Sequence, residues 1–168
     1  MADNASKVLI VGLGNPGDEF SRTRHNTGFM AVDFLVGNNE WKKEKNYLVF
    51  KSDNLIFIKP LTFMNLSGIA VQAAMAKYKI PIENIVVIHD DIDLKLSDIR
   101  IKTGGGNAGH NGLKSITGAI GNDYRRVRIG VGRPEIPEID VSDWVVGRFT
   151  KSELSKITET ITKLPDKL

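Results

Sequence analysis

Three short, unbroken apolar runs constrain this chain more than any other feature: Val8-Leu9-Ile10-Val11, Leu55-Ile56-Phe57-Ile58 and Ile85-Val86-Val87-Ile88. A strand with one wet face alternates apolar and polar side chains, whereas a strand covered on both faces does not. The three runs therefore read as buried parallel strands. Parallel neighbours need crossovers long enough to hold a helix, and helical patterns fall between and after the runs. Phe29, Met30, Asp33 and Phe34 sit in one. Ile69 to Tyr78 is a second, rich in alanine and limited by Pro81, and Gly109 to Ile120 is a third. Leu154, Ile157, Ile161 and Leu164 repeat at helical spacing and predict an amphipathic C-terminal helix ending near Pro165. Strands alternating with helices predict an α/β fold whose sheet is covered on both faces, a three-layer α/β/α arrangement.

The chain has 168 residues, the length of one ordinary domain spanning residues 1–168, and is 41% hydrophobic, enough for a packed core. No apolar run approaches the ~20 residues of a membrane helix. The polar start MADNASK lacks the apolar stretch of a secretory signal, so the N-x-S triplets at Asn4 and Asn65 are not read as glycosylated. The cytoplasm is the expected compartment. There is no cysteine, which excludes disulfides, a thiolate nucleophile and zinc–cysteine sites. Net charge is only +3, but between Lys95 and Arg133 eight basic residues face two acidic ones. Such a segment suits a polyanion such as RNA, or is an ordinary solvated surface. Two pieces of it alternate, Ile99-Arg100-Ile101-Lys102 and Arg126 to Val131. Each puts its basic side chains on one face, and whether those faces coincide depends on strand pairing.

Gly12-Leu13-Gly14-Asn15-Pro16-Gly17 matches the G-x-G-x-x-G dinucleotide fingerprint after a first strand. The context does not fit. In that fingerprint the helix starts inside the glycine segment and aims its N-terminus at the pyrophosphate. Here Pro16 makes Asn15 extended, polar Asp18 to Asn26 follow, and the acidic Asp33 falls in a helical pattern rather than at a strand end. The segment reads instead as a tight turn presenting Asn15.

Each of the three histidines has a carboxylate or amide beside it: Arg24-His25-Asn26, His89-Asp90-Asp91 and Gly109-His110-Asn111. His89 ends a buried strand and can simply face the core. His25 lies in a polar loop near the C-terminal end of the first strand, where ligands gather in open α/β sheets. Asp90 closes another buried strand at the same edge, so Asn15, His25 and Asp90 share one rim. A histidine beside a carboxylate can act as a general base on water. There is no G-x-S-x-G elbow and no H-E-x-x-H, and Asp91-Ile92-Asp93 lacks the rest of a calcium loop. Direct attack of water on an activated ester is the simplest chemistry these residues support. Asn65 and Asn111 either cap helices or hold a substrate carbonyl or peptide backbone.

Five stretches together resemble the bacterial peptidyl-tRNA hydrolase family: VGLGNPGDEFSRTRHNTGF (11–29), KPLTFMNLSG (59–68), HDDIDL (89–94), GGGNAGHNGLKSI (104–116) and RVRIGVGRP (126–134). The resemblance implies a mixed, partly parallel twisted sheet and a monomer that needs no cofactor and no metal. It implies that His25 is the catalytic histidine and Asp90 its partner. Asn15 and Asn65 would engage the substrate and the attacking water. Asn111 would contact the peptide or the 3′-terminal adenosine of peptidyl-tRNA, with His110 near the tRNA end and Met64 walling the cleft. Lys102 and Arg128 would clamp the 5′-phosphate of the acceptor stem. Phe20 stands where the family usually has tyrosine, which keeps ring stacking and loses a hydroxyl contact. Asn107 replaces a common histidine. The chain stops at Leu168 after one C-terminal helix, whereas family members usually continue, so it is expected to be short at that end. Two other readings compete: a non-catalytic RNA-binding relative, opposed by the presence of Asn15, His25, Asn65, Asp90 and Asn111, and a dinucleotide-dependent oxidoreductase, opposed by Pro16.

Overall fold

In a computed structural model, which describes residues 6–168, the three apolar runs lie side by side at the centre of a seven-stranded sheet. The Asn4 triplet lies outside the described residues. The strands are β1 (Val8–Gly12), β2 (Lys42–Lys43), β3 (Tyr47–Ser52), β4 (Leu55–Pro60), β5 (Ile85–Asp91), β6 (Ile99–Thr103) and β7 (Arg125–Gly130), in the order β2-β3-β4-β1-β5-β7-β6. The pairs β4–β1, β1–β5 and β5–β7 are parallel, while β2–β3–β4 and β7–β6 are antiparallel, so the sheet is mixed. All seven residues of β5 are buried. That is why its sequence shows no alternation.

Strand geometry sends successive side chains to opposite faces. Leu9, Val11, Ile56, Ile58, Ile85 and Val87 pack on one face under α2 (Ser67–Tyr78) and α3 (Asn111–Ile120). Ile10, Phe57, Val86, Ile88, Val127 and Ile129 pack on the other under α1 (Thr27–Val36) and α5 (Lys151–Ile161). A short helix, α4 (Val141–Val146), lies outside these layers. Each fully buried Ile, Leu or Val contributes roughly 1.5–3 kcal/mol, so these two faces hold most of the stabilisation. Small residues bring the layers close to the sheet and to each other. A Cβ on Gly12 would sit 2.3 Å from the Gly28 carbonyl oxygen of α1, and one on Gly68 would sit 2.3 Å from that of Ser115 in α3.

The glycine-rich turn after β1 does not enter a helix. Gly17 takes φ 113°, short 3₁₀ turns follow over Asp18–Phe20 and Arg24–Asn26, and α1 starts only at Thr27. The C-terminal helix ends at Ile161, with Leu164 in a separate 3₁₀ turn, Leu164–Asp166. Of the two alternatives open for Asn65 and Asn111, capping is not what the fold uses. Asn65 sits inside a 3₁₀ turn, Met64–Leu66, and the residue preceding α2 is Leu66. At α3 the cap is His110, whose ring accepts the backbone N–H groups of Gly112 and Leu113. An imidazole lone pair can do this work as well as a carboxamide oxygen, and that frees Asn111. Strands β2 and β3 and helix α4 have no counterpart in the sequence reading. β3 buries only Tyr47 and Val49 of its six residues, so its apolar signal is weak.

Candidate active site

The C-terminal ends of β1 and β5 open into a cleft of about 770 Å³. Eight of the residues singled out by sequence line it: Asn15, Phe20, His25, Met64, Asn65, Asp90, His110 and Asn111. Lys102 and Arg128 do not. They line an adjoining cavity of about 310 Å³, which shares His89, Asp91, Asn107 and Ala108 with the cleft.

His25 lies in a buried 3₁₀ turn, Arg24–Asn26, just before α1. Its Nδ1 is 2.8 Å from Asp90 Oδ2. The other carboxylate oxygen, Oδ1, is 3.0 Å from His110 Nε2. Since His110 Nδ1 accepts from the backbone N–H groups of Gly112 (3.1 Å) and Leu113 (3.3 Å), the proton of this ring is on Nε2 and is donated to Asp90. The carboxylate thus receives two N–H donors, and its ionised form is favoured. Burial opposes ionisation, but the two histidines outweigh it and hold the Asp90 carboxyl far below the usual carboxylate range. For His25 burial pulls the pKa down, while the charge and hydrogen bond of Asp90 push it up and win, so it is raised above 6.5. With Nδ1–H committed to Asp90, His25 Nε2 is an unshared acceptor at the cleft wall.

Asn15 ties three loops together. Its backbone N–H donates to Asn26 Oδ1 (2.8 Å), its carbonyl accepts from Asn26 Nδ2 (2.9 Å), and its Oδ1 accepts the Met64 N–H (2.7 Å). Fixing Oδ1 in this way fixes the amide flip and leaves Nδ2 as the donor for the cleft. Asn65 and Asn111 are exposed on the cleft rim, and Phe20 meets Phe63 edge-on with ring centroids 6.4 Å apart. His89 faces the other side of β5. It is buried, donates to the Asp90 carbonyl oxygen (2.7 Å), and burial with the nearby His110 pushes its pKa down to about 3.

His25, Asp90 and His110 bring three metal-type donor atoms within 4.8 Å of one another. Their hydrogen bonds do not suit an ion. The His110 Nδ1 lone pair is spent on the backbone, so a metal on Nε2 would have to displace the proton that Asp90 accepts. Among the described residues, the one serine on the cleft wall, Ser142, has its hydroxyl bonded to Asp140 Oδ1 at the start of α4 and not to a histidine.

The pairing of β6 with β7 answers the question the basic segment left open. Arg100 lies opposite Arg128 and Lys102 opposite Arg126 in an antiparallel ladder, so all four share one face. Arg128 Nε donates to Asp91 Oδ2 at 2.8 Å, and Arg126 is buried against the Gly106 carbonyl oxygen. Sequence reading missed Asn26, Phe63 and the α4 wall (Val141, Val145, Val146). Asn26 carried a legible signal, a buried-loop amide next to His25. The α4 residues carried none, because a six-residue helix has too few turns for a period.

The family model described as peptidyl-tRNA hydrolase matches residues 9–168. A peptidyl-tRNA hydrolase of Rickettsia bellii is 52% identical over 167 residues, covering 95% of this chain and 90% of the relative. One of Bdellovibrio bacteriovorus is 51% identical over 166 residues, covering 94% and 89%. The crystal structure of the peptidyl-tRNA hydrolase of Acinetobacter baumannii superposes with a TM-score of 0.85 at 37% identity, covering 96% of this chain and 86% of that one. With a family match over almost the whole described chain and the same architecture in a solved relative, this chain belongs to the peptidyl-tRNA hydrolase family.

Proposed function

We propose that this protein hydrolyses the ester joining a peptide, or an N-blocked aminoacyl group, to the 3′ end of tRNA. The observation that carries the reading is His25, held at Nδ1 by Asp90 and leaving Nε2 free at the cleft, next to the one free donor of Asn15. Nε2 takes a proton from a water molecule as its oxygen attacks the acyl carbon. Asp90 supports the imidazolium that forms. Asn15 Nδ2 donates to the carbonyl oxygen or orients the water. The tetrahedral intermediate then expels the ribose 3′-oxygen, which takes the proton from His25. The products are a free tRNA 3′-hydroxyl and a peptide carboxylate, and no acyl-enzyme is formed.

Asn65 and Asn111 hold the peptide backbone or the terminal adenosine from the rim, and Met64, Phe20 and Phe63 form an apolar wall. His110 has both ring nitrogens committed inside the protein, so its part is to hold Asp90 rather than to bind tRNA through them. Lys102 and Arg128 grip the acceptor-stem phosphate from the second cavity. The enzyme works without a cofactor, as a monomer, in the cytoplasm. No helix among the described residues is long and apolar enough to cross a membrane. The test is release of free tRNA from an N-blocked aminoacyl-tRNA, by the wild type and by His25→Ala. An inactive wild type that still binds tRNA would favour the RNA-binding reading.

A further inference from the structure

Arg24 precedes His25 and touches nothing that reacts, yet it is only 5% exposed. Its guanidinium carbon lies 3.4 Å from the centre of the Trp144 ring. Nη1 donates to the Trp144 carbonyl oxygen (3.2 Å) and Nη2 to Glu153 Oε1 (2.9 Å). The same Glu153 oxygen accepts the Thr150 N–H in the capping box that starts α5. The backbone follows the same route. Arg24 N–H donates to the Gly147 carbonyl oxygen (3.1 Å) and Phe149 N–H to that of Arg22 (3.0 Å). Trp144 in turn donates from Nε1 to the Gly132 carbonyl oxygen (2.9 Å), beyond the end of β7. The chain from Trp144 to Glu153 is thus pinned to the loop that leaves β7 at one point and to the turn carrying His25 at another.

A guanidinium is a poor choice for stability alone in such a place. Burying it is costly, one ion pair recovers little of that cost, and an apolar side chain of similar volume does at least as well. Here, moreover, Nε is buried with no partner. What a planar fork does supply is direction: it fixes one ring face and two acceptors at once. On its other sides the His25 turn is held by Asp90, by the Asn15–Asn26 pair, and by the Thr27 hydroxyl on the Arg24 carbonyl oxygen (2.6 Å). The side facing α4 is held by Arg24.

We propose that Arg24 is a positioning residue that keeps His25 aligned with Asp90 and the cleft by locking its turn to Trp144 and Glu153. The proposal rests on the reading of His25 as the base. A base displaced by about 1 Å can lose on the order of 10²-fold in rate, and uniform binding is untouched when a residue acts only on the base. Arg24→Met keeps a side chain over Trp144 and removes the fork. It should fold, lower kcat about 10–100-fold with KM little changed, and do so equally on N-blocked aminoacyl-tRNA and on an N-blocked aminoacyl ester of adenosine. The downfield proton resonance of His25 Nδ1–H, which reports the bond to Asp90, should shift or broaden. Arg24→Lys should recover little, since an ammonium cannot stack and fork together. Glu153→Gln, which opens no hole, should move kcat and the resonance the same way by less, and it decides the matter if Arg24→Met does not fold. Wild-type kcat in folded Arg24→Met, or lost kcat with an unchanged His25 resonance, overturns the proposal. His25→Ala separates the two failures: if it turns over normally, the base assignment falls first.

Discussion

Asp90 and Asp91 are neighbours on β5, and strand alternation sends them to opposite faces and different company. Asp90 is 1% exposed and binds two histidines whose side chains are less than a tenth exposed. Asp91 holds Arg128, whose side chain keeps 22% exposure, in the smaller cavity. The first arrangement is dry and fully directed, which a proton transfer needs. The second leaves a cation near the surface, paired with a carboxylate that, on the proposed reading, a phosphate replaces. Under the proposed function, two adjacent carboxylates separate chemistry from anchoring, and the wall between them is one strand thick.

The largest effect expected from that division is at His25. His25→Ala should fold normally and lose roughly 10²–10⁴-fold in kcat, measured by tRNA release; a folded variant with near-normal turnover would break the comparison at its first member. Asp90→Asn should come next. It exchanges an acceptor for a group that can favour the wrong His25 tautomer, so kcat should fall far more than affinity. It should also reverse a pH effect. As the proposed base, His25 must be neutral to act, and Asp90 raises its pKa against the pull of burial. The wild-type rate should therefore climb with pH through a value above 6.5, and in Asp90→Asn the residual rate should climb at a lower pH, because burial then acts unopposed. An acid limb that does not move would remove Asp90 from the mechanism.

Changes in the second cavity should be milder and of another kind. Lys102→Ala or Arg128→Ala should raise KM for intact peptidyl-tRNA and leave kcat nearly unchanged. Each should flatten the salt dependence by somewhat under one unit of log–log slope, and neither should affect a short ester without an acceptor stem. Removing the 5′-phosphate should mimic both and add little to either. Equal effects on the short ester would show that the two cavities are not separate in function. The smallest expected effect concerns stability. His89 is buried neutral, with its pKa pushed down to about 3 in the folded state, against 6.5 in its ordinary state. Between those values the unfolded chain takes up a proton that the folded one does not, so stability falls with decreasing pH. His89→Gln should flatten the melting temperature across that window, and an unchanged slope would mean that another group causes it.

Much of this site was legible because strands advertise their ends. Asn15, His25 and Asp90 could be placed on one rim from two apolar runs and the rule that loops beyond their C-terminal ends meet. Met64 came only from likeness to a family, while Asn65 and Asn111 stood out from the residues alone, with capping and substrate contact both open until the likeness chose between them. Capping stayed open for Asn111 because asparagine is a common cap, and nothing local says that His110 turns its Nδ1 back to the helix. The α4 wall and the part of Arg24 stayed hidden, since Arg24 reads as one more basic residue until Trp144 and Glu153 are seen around it.

The sequence by itself determined the layers, the central parallel strands and the failure of the glycine segment to run directly into a helix. These follow from apolar period and from proline and glycine, which act within a few residues. Tertiary structure alone decided the proton positions and the grouping of charge. His25 and Asp90 are 65 residues apart, Asp90 and His110 are 20 apart, and the tautomer of each ring depends on what the fold brings to its other nitrogen. In the same way Lys102 and Arg128 share a face only because β6 pairs with β7 in one register. A slip of one residue would have sent one of the two basic rows to the opposite face.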